Sequence, residues 1–476
     1  MSHPSSPGRL LLCALLVATA TLRAQEQRPI ALVNARILTM TDAGTIEKGT
    51  VLIRDGKIEA VGPDVKAPLG AQVIDVAGGT VMPGLVHAWS SAGIESAARP
   101  MPMPQQPQQR GRGRGRGPTG PMPSGGGNAN RAAARVSDGI YARQDVFTEL
   151  LREGVTSLFV HPSGGGFPGL GARIEPDGTT HDDLIVDAEA LSVVMPATNA
   201  GAKKLIKDEF DKAKKALEER KKPKEAPKPA EEQKPAEQKP AEGQPKPGEQ
   251  KPAEPAKEPP KPEGGEKPPE AKPEAKPQEP EKKPEVKKDP NVEVLADVLD
   301  GKRKTFVRLS TAMDLAHWLD GVGDLRFPAV VVADQPASSR GRLEELASDL
   351  KKVCSGVLLT PALAELPWTR TLVNPAKTLH DAGLEIGFVL PDDAARLRGL
   401  RFALMELVRA GLPADVALKA ITAVPAKMLG VDGEVGSVAQ GHRADLLVFD
   451  RDPLDPTASL RQVFLRGRAV EEAVSR

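Results

Sequence analysis

The chain has 476 residues, and its 65 lysines and arginines balance 64 aspartates and glutamates to a formal net charge of +1. This balance offers no global argument for a nucleic-acid partner or for binding to an anionic membrane. The chain has 2 cysteines, and Cys13 lies in the N-terminal leader, so a mature chain that keeps only Cys354 would have no internal disulfide.

The N-terminus has the pattern of a secretory signal peptide over residues 1–24. Arg9 supplies a positive charge, residues 10–18 form an apolar run that is short for a membrane span, and small residues follow. Cleavage is expected after Ala20 or Ala24. We therefore expect an exported protein, periplasmic or extracellular, with no membrane span in the mature chain.

Segments rich in β-branched residues follow the leader and predict strands at 30–38, 50–62 and 72–76, with a tight hairpin at Asp55-Gly56. The chain then turns into VMPGLVHAWSSAGI at 81–94. The apolar run there predicts a buried strand over 81–86 that leads into a turn.

Two segments have low complexity. Residues 100–131 contain Met-Pro repeats and RGRGRGRG; Arg-Gly repeats can bind RNA, but without interleaved aromatic residues we interpret this segment as a disordered surface loop. Residues 203–222 predict a charged, solvated helix. It leads into a Pro-, Lys-, Glu- and Ala-rich tract over 223–288, which we expect to be an extended, partly polyproline-like surface insertion.

Short buried strands alternate with helices along the remaining chain, which indicates βα units and a parallel sheet. The strand at 155–160 is followed by His161 and a Gly-rich segment, which we interpret as a loop; it lacks the spacing of a phosphate-binding motif. The strands are predicted at 81–86, 155–160, 305–309, 329–333, 356–359 and 385–390, and the helices at 146–153, 203–222, 292–299, 314–319, 343–353, 375–382 and 399–410.

Three groups of motifs resemble the amidohydrolase superfamily, and in particular proteins similar to imidazolonepropionase. They are DGKIEAVG at 55–62 leading to PGLVHAWSS at 83–91, REGVTSLFVHPSGGGFPGLGARI at 152–174, and the region 410–470 with TAVPAKMLG and GSVAQGHRADLLVFD. The family reaction is metal-dependent hydrolysis of carbon–nitrogen bonds other than peptide bonds.

The resemblance implies an α/β fold, a TIM-like (β/α) barrel over 81–433 beside a small composite β-sandwich formed by 28–80 and 434–474. Six of the eight barrel strands are visible in the sequence, so the other two lie within 179–200 or the barrel is incomplete. Insertions at 100–133 and at about 203–290 are expected to be disordered.

The family binds its metal with a His-x-His pair after the first barrel strand, histidines after the fifth and sixth, and an aspartate after the eighth. Trp89 and Ser91 stand at the positions of the pair, Arg308 stands at the fifth-strand position, and Asp392 matches the catalytic aspartate. We expect His87 to share the side of its strand with Trp89 and Ser91. The resemblance implies that zinc or another divalent ion is bound at this site. Because most of the ligands are missing, we expect no metal cofactor.

The predicted site is therefore a pocket of His87, Trp89, Ser91, His161 and Arg308, with Asp392 as the catalytic candidate. A salt bridge from Arg308 to Asp392 would replace the lost cation. One alternative is an unorthodox zinc site of His87, His161 and Asp392; the other is that His161 hydrogen-bonds to the Gly-rich segment. The remaining histidines are expected to be structural or exposed: His181, His317, His380 and His442.

Three functions stay open for such a chain. It could keep the family reaction in a weak form, it could be an exported pseudoenzyme that binds a ligand or assembles with a partner, or its proline-rich insertion could make the main contacts. The missing metal ligands favour the pseudoenzyme. The partner, a small molecule or a protein, is unknown, and a homo-oligomer stays open.

Overall fold

The structure is a computed structural model that describes residues 28–94, 129–195, 200–221, 288–335 and 342–471. Its strands are Ile30–Leu38 (β1), Thr45–Arg54 (β2), Lys57–Gly62 (β3), Gln72–Asp75 (β4), Thr80–Pro83 (β5), Leu85–Ser90 (β6), Ala129–Asn130 (β7), Val155–Val160 (β8), Gly166–Ile174 (β9), Ile185–Val194 (β10), Thr305–Arg308 (β11), Ala329–Ala333 (β12), Gly356–Leu359 (β13), Ala364–Glu365 (β14), Leu372–Val373 (β15), Glu385–Phe388 (β16), Leu446–Phe449 (β17), Leu460–Leu465 (β18) and Arg468–Ala469 (β19).

The predicted helices are confirmed to within three residues at each end, except that the first four residues of 343–353 form a 3₁₀ turn. The observed helices are Asp145–Arg152 (α1), His181–Leu184 (α2), Ala200–Lys221 (α3), Pro290–Leu299 (α4), Ala312–Val322 (α5), Ala347–Val353 (α6), Pro375–Asp381 (α7), Ala394–Leu397 (α8), Leu400–Arg409 (α9), Ala414–Lys419 (α10) and Ala423–Leu429 (α11), with 3₁₀ turns at Val136–Gly139 and Leu343–Leu346. The predicted signal peptide, the Arg-Gly repeats and the proline-rich tract lie outside the described residues.

Strands from both ends of the chain pair in one sheet. Its order is β19-β18-β17-β5-β1-β2-β3, with β4 also paired to β1. The strand β5 lies between the two ends, since Val81 pairs with Ile37 of β1 on one side and with Val448 of β17 on the other. The composite sheet is thus established, while its closure into a sandwich stays a prediction.

The second sheet is the curled barrel sheet. Its order is β16-β13-β12-β11-β10-β9-β8-β6, with β7 paired to β9, and neighbouring strands are parallel except where β9 pairs antiparallel with β8 and β10. The connection between α10 and α11 bridges the two edge strands. Val86 of β6 donates its N–H to the Ile421 carbonyl at 3.0 Å, and Phe388 of β16 donates to the Ala420 carbonyl at 2.7 Å.

The Gly-rich segment after β8 is a loop only over 162–165 and then forms a fully buried strand, β9, so the predicted loop was wrong over 166–174. A Cβ on Gly169 would lie 2.4 Å from the Ala134 carbonyl oxygen, and one on Gly171 would lie 2.6 Å from the Phe159 ring. These glycines allow other backbone and ring atoms to approach the strand closely. With β10, this strand accounts for the two that the sequence did not show, although only β10 lies within 179–200.

The predicted strand 81–86 is two strands, because the chain leaves the composite sheet at Gly84 and enters the barrel sheet. The Gly84 N–H donates to the Asp445 carbonyl at 2.9 Å, and β6 then continues to Ser90. A Cβ on Gly84 would lie 2.1 Å from Thr156 Oγ1. Only glycine fits this passage between the sheets.

The barrel sheet has apolar groups on both faces. The inner cluster contains Phe159, Phe306, Val332, Leu358 and Met428, and the helices pack on the outer face. A Cβ on Gly356, the first residue of β13, would lie 2.5 Å from Met428 Cε. The helix α11 therefore covers the amino end of the barrel, and the carboxyl ends of the strands form the opposite end, which we call the barrel mouth.

The described parts of the two predicted insertions are ordered, which corrects their expected limits. The helix α3 has one buried face, with Ile206 and Phe210 completely inaccessible to solvent, and Arg220 Nη1 lies 2.8 Å from Asp297 Oδ1 of α4. Because its apolar residues recur at helical spacing, α3 packs on the domain and is not solvated on all sides. At the other insertion, β7 pairs with β9.

Among the described helices, none is both long enough and apolar enough to cross a membrane.

We predict that Gly84→Ala lowers the free energy of unfolding by about 1–3 kcal/mol, because the new methyl group overlaps the Thr156 side chain. Urea unfolding would measure the change, and Thr156→Ala in the same chain should restore part of the loss. The control is Gly433→Ala, since a Cβ at Gly433 meets nothing within 4 Å. Equal stability of Gly84→Ala and wild type would contradict the close passage.

Candidate functional site

The centre of the candidate site is the Asp392 carboxylate, which accepts hydrogen bonds from two residues of the opposite edge strand, β6, and from Ser91 directly after it. Its Oδ1 lies 3.0 Å from His87 Nε2 and 2.6 Å from Ser90 Oγ. Its Oδ2 accepts from the backbone N–H of Ser91 at 2.9 Å and from Ser91 Oγ at 2.7 Å. Asp392 follows β16, so these four bonds, which we call the Asp392 clasp, join the two edges of the barrel sheet.

A β-bulge in β6 sets the positions of these partners. The register with β8 shifts between His87 and Ser90, and a bulge changes which side of a strand the following side chains face. Ala88 and Trp89 both pack in the inner cluster, whereas His87 and Ser91 contact Asp392. The expectation that His87, Trp89 and Ser91 share one side was therefore wrong.

The clasp controls the charge of Asp392, whose side chain is 35% exposed. Burial raises the pKa of its carboxyl. The hydrogen bond and electrostatic attraction of His87, with the hydroxyls of Ser90 and Ser91, lower it by more, so the pKa lies well below its ordinary value of 3.8. A carboxylate this acidic accepts protons poorly, so Asp392 is a weak general base.

His161 lies at the mouth end of β8 with both ring nitrogens engaged. Its Nε2 lies 3.0 Å from the Ala88 carbonyl oxygen and its Nδ1 2.7 Å from Ser192 Oγ. A carbonyl only accepts, so Nε2 carries the proton and Nδ1 accepts from the serine. Desolvation lowers the pKa of His161 to about 3, and the neutral ring packs against the Trp89 ring with centroids 4.0 Å apart and planes tilted by 31°. Ser192 and Ala88, and not the Gly-rich segment, are its partners.

Arg308 pairs with Asp334 and not with Asp392, which corrects the predicted salt bridge. Its Nε lies 2.8 Å from Asp334 Oδ1. The strand order explains the choice, because Arg308 is in register with Val332 of the neighbouring β12, and Asp334 follows two residues later. β16, which precedes Asp392, lies beyond β12 and β13 in the sheet.

The donor set does not fit the divalent metal of the family. His161 has no free lone pair, and His87 Nε2 donates to Asp392, which leaves only its Nδ1, a fully buried atom without a hydrogen-bond partner. Across the part of the chain that the structure describes, no group of three or more His, Cys, Asp or Glu residues is placed to hold a metal ion. His87, His161 and Asp392 thus do not form the alternative zinc site.

The two serine hydroxyls of the Asp392 clasp lack the arrangement of an activated nucleophile. Ser90 and Ser91 both donate to Asp392, and neither is hydrogen-bonded to a histidine that could take its proton. Burial raises the pKa of the Cys354 thiol to about 12, so it remains protonated and unreactive.

Sequence reasoning placed Asp392 at the site and missed two of the groups that define it. Regular alternation of side chains along the strand predicts that Ser91, and not Ser90, shares a side with His87. The bulge instead brings both serine hydroxyls to the Asp392 carboxylate. Ser192 lies in β10, a strand that the sequence did not show. The adjacent pair Ser90-Ser91 was the available signal for a carboxylate-binding turn.

The fold and this site define a class: an α/β-barrel protein with polar groups gathered at the carboxyl ends of its strands. Residues 312–470 match the family model of the amidohydrolases. A solved amidohydrolase from Thermotoga maritima superposes with a TM-score of 0.63 at 20% sequence identity, covering 93% of this chain and 100% of that one. That likeness concerns the fold and implies a TIM-like barrel.

Curated relatives match shorter segments. The 5'-deoxyadenosine deaminase of Methanosarcina mazei is 52% identical over 60 residues, which is 12% of this chain and 14% of that protein. Amidohydrolase tasK of Hapsidospora irregularis is 32% identical over 96 residues, or 20% of this chain and 10% of that protein. Adenine deaminase 2 of Agrobacterium fabrum is 41% identical over 85 residues, 18% and 13% of the two chains. The matches thus span no more than about a seventh of each relative.

The chain is thus similar to amidohydrolases in sequence over residues 312–470 and in fold over most of its length.

We predict that Asp392→Asn destabilises the fold by about 2 kcal/mol, because an amide offers one acceptor oxygen where the clasp needs two and turns its NH₂ toward donors. Urea unfolding would measure the loss. The control is the neighbouring Asp393→Asn: Asp393 accepts from Arg396 N as the N-cap of α8, and asparagine caps a helix equally well. Equal losses in both variants would contradict the clasp.

The clasp also predicts a pH dependence. Since the Asp392 pKa is lower in the folded chain than its ordinary 3.8, ionised Asp392 stabilises the fold above that pH, and the contribution is lost as the pH falls below it. The stability difference between wild type and Asp392→Asn should be constant from about pH 7 to about pH 5 and shrink at about pH 3. A difference that grows on acidification would show the opposite linkage.

Proposed function

We propose that this chain is an exported, non-catalytic member of the amidohydrolase superfamily that acts by binding at its barrel mouth. The observation that carries the proposal is the Asp392 clasp. Asp392 stands at the position of the catalytic aspartate. Its two carboxylate oxygens accept four hydrogen bonds from His87, Ser90 and Ser91.

Hydrolysis by the family route needs an acidified water and a base that removes its proton. The residues here support neither step. The low pKa of Asp392 makes it a poor base, and the described histidines and carboxylates provide no metal-binding group. The Arg308–Asp334 pair occupies the positions where the resemblance expects histidines after the fifth and sixth strands.

Groups remain at the mouth that can contact a ligand. Arg308 is partly exposed and uses its Nε for Asp334, Ser91 is exposed, and the Trp89 ring is half-buried. A mouth with a guanidinium, a hydroxyl and an aromatic face suits recognition of a small polar molecule or a protein side chain. These groups support binding without chemistry.

A second candidate is weak carbon–nitrogen hydrolysis. It is favoured by the identity to deaminases in short segments and by the position of Asp392 itself. It would need the clasp to open and a metal to bind through atoms that are now engaged.

We further propose export, which rests on the signal-like residues 1–24. We also propose that the barrel sheet closes completely and that the composite sheet folds as a sandwich, as the family resemblance implies. Fractionation of the host cell and N-terminal sequencing of the mature chain test export, with Thr21 or Gln25 as the expected first residue.

We expect elemental analysis of the purified mature protein to find no stoichiometric zinc, iron or manganese, and we expect a chelator to leave the melting temperature unchanged. A screen of cyclic amides and aminopurines should give no turnover above the level of Asp392→Ala. Stoichiometric metal that is lost in both His87→Ala and His161→Ala, together with turnover, would overturn the proposal. His380→Ala is the matched control, because His380 lies on α7 away from the mouth.

A further inference from the structure

An apolar chamber of about 100 Å³ lies between α9, α10 and the strands β5, β6 and β17. Its walls include Leu85, Leu404, Leu418, Leu447 and Phe449. Leu404 and Leu447 are almost completely inaccessible to solvent. The leucine and phenylalanine side chains give the chamber apolar walls that suit a small apolar group, as a cavity of about 150 Å³ accepts benzene, while Glu153, Arg398 and Arg401 also line it. The chamber has room for a short branched hydrocarbon group but not for a long chain.

A second, polar chamber of about 660 Å³ adjoins the first. Glu153, Arg398 and Leu460 line both chambers. Arg398 Nε donates to Glu153 Oε1 at 2.7 Å, so an ion pair stands between the apolar and the polar space. Because the Arg398 side chain is 69% exposed, this pair can rearrange at little cost.

The polar chamber carries balanced charge. Its lining has three arginines and three glutamates: Arg152, Arg398, Arg461, Glu149, Glu153 and Glu471. The side chains of Arg152 and Glu149 make no hydrogen bond or ion pair with any residue that the structure describes, and Arg398 uses only its Nε. Guanidinium and carboxylate groups are thus both available next to the opening of the apolar chamber.

We propose that the two chambers form a binding site for a free aliphatic α-amino acid such as leucine. The side chain would enter the apolar chamber, the α-carboxylate would bind the guanidinium groups of Arg398 and Arg152, and the α-ammonium would bind Glu153 and Glu149. An alkyl carboxylate would leave the glutamates without a partner, and an alkyl amine would leave the arginines without one. A zwitterion of zero net charge satisfies both sets.

The site lies apart from the barrel mouth, so it is independent of the function proposed above. None of its lining residues belongs to the Asp392 clasp or to the Arg308–Asp334 pair.

Isothermal titration of the full mature chain with L-leucine tests the site. Three analogues each lack one feature: isovalerate lacks the ammonium group, isoamylamine lacks the carboxylate, and L-alanine lacks the branched side chain. We expect leucine to bind and each analogue to bind at least about tenfold more weakly, since each leaves charged or apolar groups unpaired. No heat with leucine, or isovalerate binding as tightly as leucine, would overturn the assignment.

Two variants locate the binding. Leu404→Phe fills the apolar chamber and Arg398→Gln removes the guanidinium at its opening, so each should weaken leucine at least about tenfold. Arg396→Gln is the matched control, because Arg396 lies only two residues from Arg398, is 84% exposed and does not line either chamber. If Leu404→Phe does not fold, Arg398→Gln against Arg396→Gln still decides. Leucine binding to Arg398→Gln with wild-type affinity would overturn the proposal.

Discussion

The carboxylate of Asp392 links the two edge strands of the barrel sheet at the mouth. A curled sheet with open edges exposes unpaired backbone groups on both of its outer strands. At one end of these strands the connection around Ala420 and Ile421 receives the N–H groups of Phe388 and Val86. At the mouth, the four hydrogen bonds of the clasp link the same two strands through the Asp392 side chain. The link between the two edge strands and the low basicity of Asp392 therefore have one cause.

A second ionic group joins the barrel sheet to the composite sheet. Arg443, just before β17, forms a two-pronged pair with Glu175, just after β9, and also lies 2.9 Å from Asp445. Burial raises the pKa of Asp445 to about 6 against the opposing effect of Arg443. Buried ion pairs contribute less to stability than to a defined geometry. Here they orient the Asp445 backbone, whose carbonyl receives the N–H of Gly84 where the chain changes sheets.

Local patterns predicted those parts of the structure that depend on local causes. The strands at 155–160 and 329–333 are short apolar runs between turn signals, and the structure confirms both to the residue. The Gly-rich strand β9 was not predicted, because its glycines are required by the close approach of residues that are distant in the sequence. A local sequence pattern does not contain that information. The same holds at the site: Asp392 could be placed by its motif, but the partner of Arg308 depends on strand order.

The family metal and the bonds found here solve one structural problem in different ways. A metal ion draws ligands from several strands to a single point, whereas a hydrogen bond or ion pair joins only two neighbours. The mouth accordingly contains separate links, the Asp392 clasp between β16 and β6 and the Arg308–Asp334 pair between β11 and β12. With no common point to converge on, Trp89 packs against His161 in the interior. Trp89, which stands where the resemblance expects a metal-binding histidine, thus takes part in the apolar packing inside the barrel.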